Sequence, residues 1–245
     1  MKHADDPTVS HPTNRARIAA HPTVVELRIR PPERSADTGL PVLRGRLHQA
    51  AFVLAVPAGL ALVLTVNGIS ARIAALVYSV TLAGLFASSA LYNRRLGTPL
   101  LRPWMKWADH AMIYLLIAGS YTPMCVVSLP RRWGIPLLAV IWTAALAGAG
   151  LKFVWRYRFR VAGGVLYVAL GWAAFAALPQ LVEHLSGPSV SLLLGGGALY
   201  MAGAIVLARR RPDPSPTWFG YHEVWHAFVV LAGGCHYAAI WLALH

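Results

Sequence analysis

The chain has 245 residues, of which 57% are hydrophobic and only 13% charged. That balance excludes an ordinary soluble domain of this size and implies a polytopic membrane protein. The net charge of +13 raises nucleic acid as a partner, but no basic module interleaved with aromatics accompanies it, so no nucleic-acid partner is expected.

Residues 1–47 mix Pro, Asp, Ser, Arg and His without a sustained apolar period and are expected to form a disordered, basic cytoplasmic tail. Contact with a membrane surface or partner is one reading of it; a solvated leader is the plainer one. The first apolar span starts too late, behind too polar a leader, for a cleaved signal peptide.

Seven apolar stretches follow, at 49–69, 73–93, 110–129, 133–151, 161–182, 189–208 and 222–244. Each is long enough to cross a bilayer, and the short loops between them make neighbours antiparallel. The expected fold class is therefore all-α: a seven-transmembrane-helix bundle over residues 48–245. Pro57, Pro123, Pro136 and Pro179 fall within spans and are candidate kinks. Dense Gly, Ala, Ser and Thr within the spans favour close helix packing; whether any such face serves a dimer is left open, and so is the oligomeric state. Cys125 and Cys235 lie inside apolar spans, which supports neither a disulfide framework nor a cysteine-type zinc site.

Alternate loops partition the basic residues unevenly. Only Arg72, Arg131 and Arg132 fall on one side; the other nineteen of the 22 Lys and Arg share the N-terminal side. The positive-inside rule then predicts a cytoplasmic N-terminus and an external C-terminus, in the cell membrane, with anionic headgroups attracted to the basic cytoplasmic face.

Polar residues at the edge of hydrocarbon need a reason to be there. His222-Glu223-Val224-Trp225-His226 opens the seventh span and matches H-E-x-x-H. Its two imidazoles share one helix face, about 6 Å apart along the axis, a spacing suited to one metal ion. The second span ends with Ser89 and Asn93, one turn apart, and the third begins with Asp109 and His110. The predicted topology brings all of these to one inner-leaflet layer. Each has a plainer reading: interfacial histidines satisfied by water or backbone, Asp109 as a helix cap, Ser89 bonded to its own i−4 carbonyl, and Glu223 as a solvated or salt-bridging residue. His236 lies about 21 Å further along the helix than His222 and is expected to have a packed, hydrogen-bonded role instead.

Ser89-Ala-Leu-Tyr-Asn93, Asp109-His110-Ala-Met-Ile-Tyr114, Ile117-Ala-Gly-Ser-Tyr-Thr-Pro123, Gly171-Trp172, the His222–His226 pentapeptide and His236-Tyr237 together resemble the hemolysin III family. That is the bacterial branch of the seven-helix progestin and adipoQ receptor proteins, within a larger group of proposed membrane metal-dependent hydrolases. The resemblance covers residues 45–244. It implies a zinc ion held by three histidines: His222 and His226 as metal ligands, Asp109 as partner of the attacking water, and Ser89 as its helper or an oxyanion group. The implied activity is hydrolysis of a lipid amide or ester, with a membrane lipid as substrate. Asn93 occupies the place of the family's third histidine. An amide oxygen is a poorer zinc ligand than imidazole. Three outcomes are open: weaker zinc completed by Asn93 or water, recruitment of Asp109 or His110, or a degenerate site without metal. The alternative function is a non-enzymatic membrane protein, pore-forming, cytolytic or sensor-like. A zinc protease using Glu223 as base is disfavoured, because no Asp or Glu follows it to complete the ligand set.

Overall fold

A computed structural model describes residues 41–154 and 160–245. The first forty residues of the expected tail lie outside the described ones. Residues 41–45 form a turn, and Arg46, Leu47 and His48 already belong to the first helix.

The helices are α1 (Arg46–Thr65), α2 (Ile69–Asn93), α3 (Arg102–Pro123), α4 (Arg131–Val154), α5 (Arg160–Trp172), α6 (Leu178–His184), α7 (Gly187–Arg209) and α8 (Tyr221–Leu244). Seven spans result, because α5, a 3₁₀ turn at Ala173–Ala177 and α6 run on as one. With no water in hydrocarbon, each span satisfies its own backbone, so helices are the available solution. The expected all-α, seven-span class holds.

Span boundaries differ from the sequence expectation chiefly at the α1–α2 turn and at the start of α3. The first helix stops at Thr65, whose hydroxyl bonds back to the Ala61 carbonyl at 2.8 Å; Gly68, with φ +87°, then makes the turn into α2. The third begins eight residues earlier than the apolar run, at Arg102. Pro103 suits a first helical turn, where its missing N–H costs nothing. The extra two turns carry Trp104 and Trp107 to the edge of the bundle, and Trp107 anchors there on the Ala149 carbonyl at 3.0 Å.

The prolines behave differently from one another. Pro57 and Pro136 lie inside regular α-helix. After Pro123 the chain widens into a π turn, Met124–Ser128, and Pro179 opens α6 after the 3₁₀ turn. Irregularity in the last two is the expected response to a missing donor.

The helices α1, α2, α3 and α8 surround the main core, whose fully buried members include Leu62, Tyr78 and Ile240. A second cluster, with Tyr114, Ile141 and Ala145, joins α3 to α4 and α5. Close backbone approach is the driving geometry. At Gly59 an added Cβ would lie 2.7 Å from the Ser79 Cβ, so α1 and α2 touch there without room for alanine. At Gly134 an added Cβ would collide with the backbone carbonyl of Cys125, which cannot swing aside as a side chain can. At the far end of the bundle, His245 reaches Thr65 at 2.9 Å and closes α8 onto α1.

Gly134→Ala should therefore lower the thermal midpoint of the detergent-solubilised protein, by an overpacking cost of about 1–3 kcal/mol. Gly234→Ala, where an added Cβ meets nothing within 4 Å, should leave the midpoint unchanged or slightly higher. Equal melting of the two variants would contradict the packing described.

Candidate functional site

The site lies at the end of the bundle where α1, α3 and α8 begin and α2 ends. Its first component is the start of α8. The Gly220 amide donates to Glu223 Oε2 at 3.0 Å, and the Tyr221 amide donates to Asp213 Oδ1 at 2.8 Å. Two of the helix's otherwise orphaned N–H groups are thereby satisfied. Glu223 is thus neither solvated nor aimed at the histidine pair: it is 1% exposed and caps its own helix.

Its other carboxylate oxygen meets Arg44, whose Nε lies 3.7 Å from Glu223 Oε1. The same Nε donates to Asn93 Oδ1 at 3.1 Å. Arg44 is held there by the turn before α1, which is bonded to the 217–218 backbone: Val42 N–H to the Thr217 carbonyl, and Leu43 N–H to the Trp218 carbonyl. Burial pulls the Arg44 guanidinium below its usual pKa, against the opposing pull of Glu223 and, more weakly, Tyr221, Tyr92 and Asp109.

The amide of Asn93 is committed at both ends. Its oxygen accepts from Arg44, while Nδ2 donates to the Ser89 carbonyl at 2.9 Å and to Ser89 Oγ at 3.2 Å. Ser89 in turn stands beside Asp109 and interacts with its carboxylate. Asp109 lies two turns inside α3, because that helix starts at Arg102; a capping role is therefore excluded. His110 is tied to its own helix, with Nδ1 2.7 Å from the Lys106 carbonyl and 3.8 Å from Asp109 Oδ2.

The imidazoles form the remaining part. His222 and His226 have ring centroids 4.5 Å apart. A third ring, His48 from α1, stacks on His226 with centroids 3.9 Å apart and planes 10° apart. His48 and His226 are 3% and 2% exposed. Neither nitrogen of His48 has a partner of ordinary hydrogen-bond geometry, only a weaker contact with the His226 backbone, and Nδ1 of His226 has none. Leaving a buried polar atom unmatched costs about 1–3 kcal/mol, so three in one place mark a site with spare ligand capacity. Three imidazoles are also a donor set suited to zinc. As arranged, the rings stack rather than converge, and no group of three His, Cys, Asp or Glu donors comes together around a common point among the described residues.

Every residue expected from sequence therefore lies in this one region: Ser89, Asn93, Asp109, His222 and His226. His48 and Arg44 were not anticipated. His48 stands one residue before the first apolar stretch, and the shared-depth reasoning applied to the other spans would have reached it. Arg44 carries no local signal beyond its charge. His236 is distant as expected; it packs edge-on against Tyr200, with ring centroids 5.5 Å apart, and its Nε2 makes no hydrogen bond.

Comparison with known proteins bears on the whole bundle. The family model described as haemolysin-III related matches residues 39–237. Hemolysin-3 of Bacillus cereus is 35% identical over 186 residues, covering 75% of this chain and 82% of that protein. A hemolysin-3 homolog of Bacillus subtilis is 32% identical over 63% of this chain and 69% of its own length. The human monocyte to macrophage differentiation factor is 25% identical over 71% of each chain. No solved structure matches. With seven apolar helices and a match over nearly all of them, the chain belongs to the haemolysin III family of multi-pass membrane proteins.

Proposed function

We propose that this protein binds zinc at the arginine-rich end of the bundle through His48, His222 and His226, and hydrolyses an amide or ester bond of a membrane lipid. The observation that carries this reading is the set of buried imidazole nitrogens without partners, two on His48 and one on His226. In this reading His48 takes the place that Asn93 vacates, and Asn93 serves Arg44 instead. The arginine-rich end faces the cytoplasm, which agrees with the positive-inside distribution. A zinc ion held there supplies Lewis-acid polarisation and an acidified water.

The chain's own groups divide the remaining work. Asp109 receives the proton of the attacking water, and Ser89, beside it, orients it. Asn93 holds Ser89 from the other side. Glu223 acts structurally, as cap of α8 and partner of Arg44, and plays no part in proton transfer. The Asp109 side chain is 18% exposed, so a lipid carbonyl reaching it leaves most of the surrounding water behind.

One observation favours a second, non-enzymatic reading. The Arg44 guanidinium sits between Asn93 and Glu223, where its charge opposes a dication nearby. A site stabilised by that guanidinium needs no metal, and the bundle would then act as a sensor-like or cytolytic membrane protein.

Metal analysis of the purified protein separates the two. Wild type should carry about one zinc per chain, and His48→Ala, His222→Ala or His226→Ala should each lower occupancy at least tenfold. Asn93→His should raise affinity. Stoichiometric zinc in the His222→Ala/His226→Ala double variant would sink the assignment, and wild type that never takes up zinc would favour the non-enzymatic reading.

Arg44→Gln should have two opposite effects. Zinc affinity should rise, because a neighbouring cation is removed. The thermal midpoint should fall, because breaking a buried pair on one side costs about 3–5 kcal/mol. For catalysis, Asp109→Asn should keep its zinc and lose hydrolysis of a ceramide and phospholipid panel by at least a hundredfold. Unchanged turnover in that variant would remove Asp109 from the mechanism.

A further inference from the structure

Beside the imidazole cluster, and separate from it, a cavity of about 140 Å³ opens at the same end of the bundle, lined by Arg44, Tyr92, Asn93, Arg95 and Arg102. We propose that this pocket binds a phosphate group, presented by a phospholipid head of the adjoining leaflet. The proposal stands whether or not zinc is bound nearby.

Charge is the first argument. Three guanidinium groups line the cavity and no carboxylate does. Arg44 has one carboxylate partner, Glu223, whose second oxygen is already used by the Gly220 amide. The side chains of Arg95 and Arg102 make no hydrogen bond or ion pair among the described residues. Guanidinium forks match phosphate oxygens in geometry as well as charge, and like charges gathered without a counter-ion repel until an anion joins them.

Backbone supplies the second argument. The α3 helix begins at Arg102 with no side-chain cap from Leu101; Pro103 carries no N–H and the Met105 amide bonds the Leu101 carbonyl, which leaves the Arg102 and Trp104 amides without intrahelical partners at this end. The opposing carbonyls at the end of α2 are consumed: those of Ala90, Tyr92 and Leu91 accept from the amides of Arg94, Arg95 and Leu96. The helix end that repels an anion is thus partly quenched, and the one that attracts it keeps amides to offer. Arg95 itself sits at φ +54°, where glycine or asparagine is the easier occupant.

The surroundings identify the source of the phosphate. Leu96, Leu100, Leu101 and Trp104, next in sequence to the lining residues Arg95 and Arg102, are 47%, 85%, 52% and 51% exposed. Four large apolar groups around a basic cavity belong at the level where acyl chains meet headgroups. A phosphate entering at that depth arrives attached to a lipid.

The test uses the full chain in detergent, with dioctanoyl phosphatidic acid, dioctanoylglycerol and inorganic phosphate as probes, bound lipid being read by native mass spectrometry. Phosphatidic acid should bind, dioctanoylglycerol should not, and Arg95→Gln/Arg102→Gln should weaken phosphatidic acid binding at least tenfold. Arg95→Lys/Arg102→Lys, which keeps charge and removes the forks, should fall between. Arg131→Gln/Arg132→Gln, the same charge loss at the opposite end, should bind like wild type. Inorganic phosphate that displaces the lipid at equal concentration supports the pocket and assigns it to free phosphate. Equal weakening by the Arg131/Arg132 variant, or retention by Arg95→Gln/Arg102→Gln of wild-type affinity, overturns the proposal.

Discussion

A carboxylate with 1% exposure at the membrane edge constrains everything around it. Burying Glu223 is tolerable only if its carboxylate finds support, and two different parts of the chain supply it: the Gly220 amide bonds one oxygen within the helix cap, and the Arg44 guanidinium, from the turn before α1, stands 3.7 Å from the other, which accepts no hydrogen bond. Arg44 brings its other contact, Asn93 at the end of α2. One guanidinium thus ties together the beginning of the first span, the end of the second and the beginning of the seventh. The turn that carries it is fixed by backbone bonds to residues 217 and 218. Stacking of His48 on His226 follows, since α1 and α8 are already locked side by side at that depth.

Packing along the rest of the bundle is dictated by a different constraint. In hydrocarbon, apolar surface gains little by meeting other apolar surface, so helices associate where backbones come close and dispersion contacts are dense. Gly59 against Ser79 and Gly134 against the Cys125 carbonyl are such points. They lie away from the polar end, which leaves that end free to be held by hydrogen bonds and charge.

The fold was legible because it rests on span length and apolar content, which are local properties of sequence. Seven stretches of roughly bilayer length leave few alternatives, and the boundary differences came from elements with weak apolar signal: the Val66-Asn67-Gly68 turn and the Arg102–Ala108 extension of α3. The site was legible in part. Ser89, Asn93, Asp109, His222 and His226 sit near span ends, where a polar residue stands out against its neighbours. His48 lay just outside an apolar stretch and so escaped notice. Arg44 could not be read at all, because its role arises from a tertiary turn; in sequence it is one of many basic residues on the same side. The capping reading of Asp109 failed for a related reason: it depended on where α3 begins, and a proline-started extension moved that point by two turns.

Asn93 and Arg44 are best understood as a matched pair. An amide offers an acceptor and a donor on one short side chain, so Asn93 can take the Arg44 N–H on its oxygen while its nitrogen holds Ser89. A neutral imidazole at the same position has one donor and one acceptor on a rigid ring, and using its acceptor on a guanidinium would forfeit it as a metal ligand. Arg44 is therefore better met by an amide than by an imidazole at 93, and in the zinc reading we propose the ligand role passes to another imidazole within reach. His48, already stacked on His226 with both nitrogens unmatched, is the group so placed.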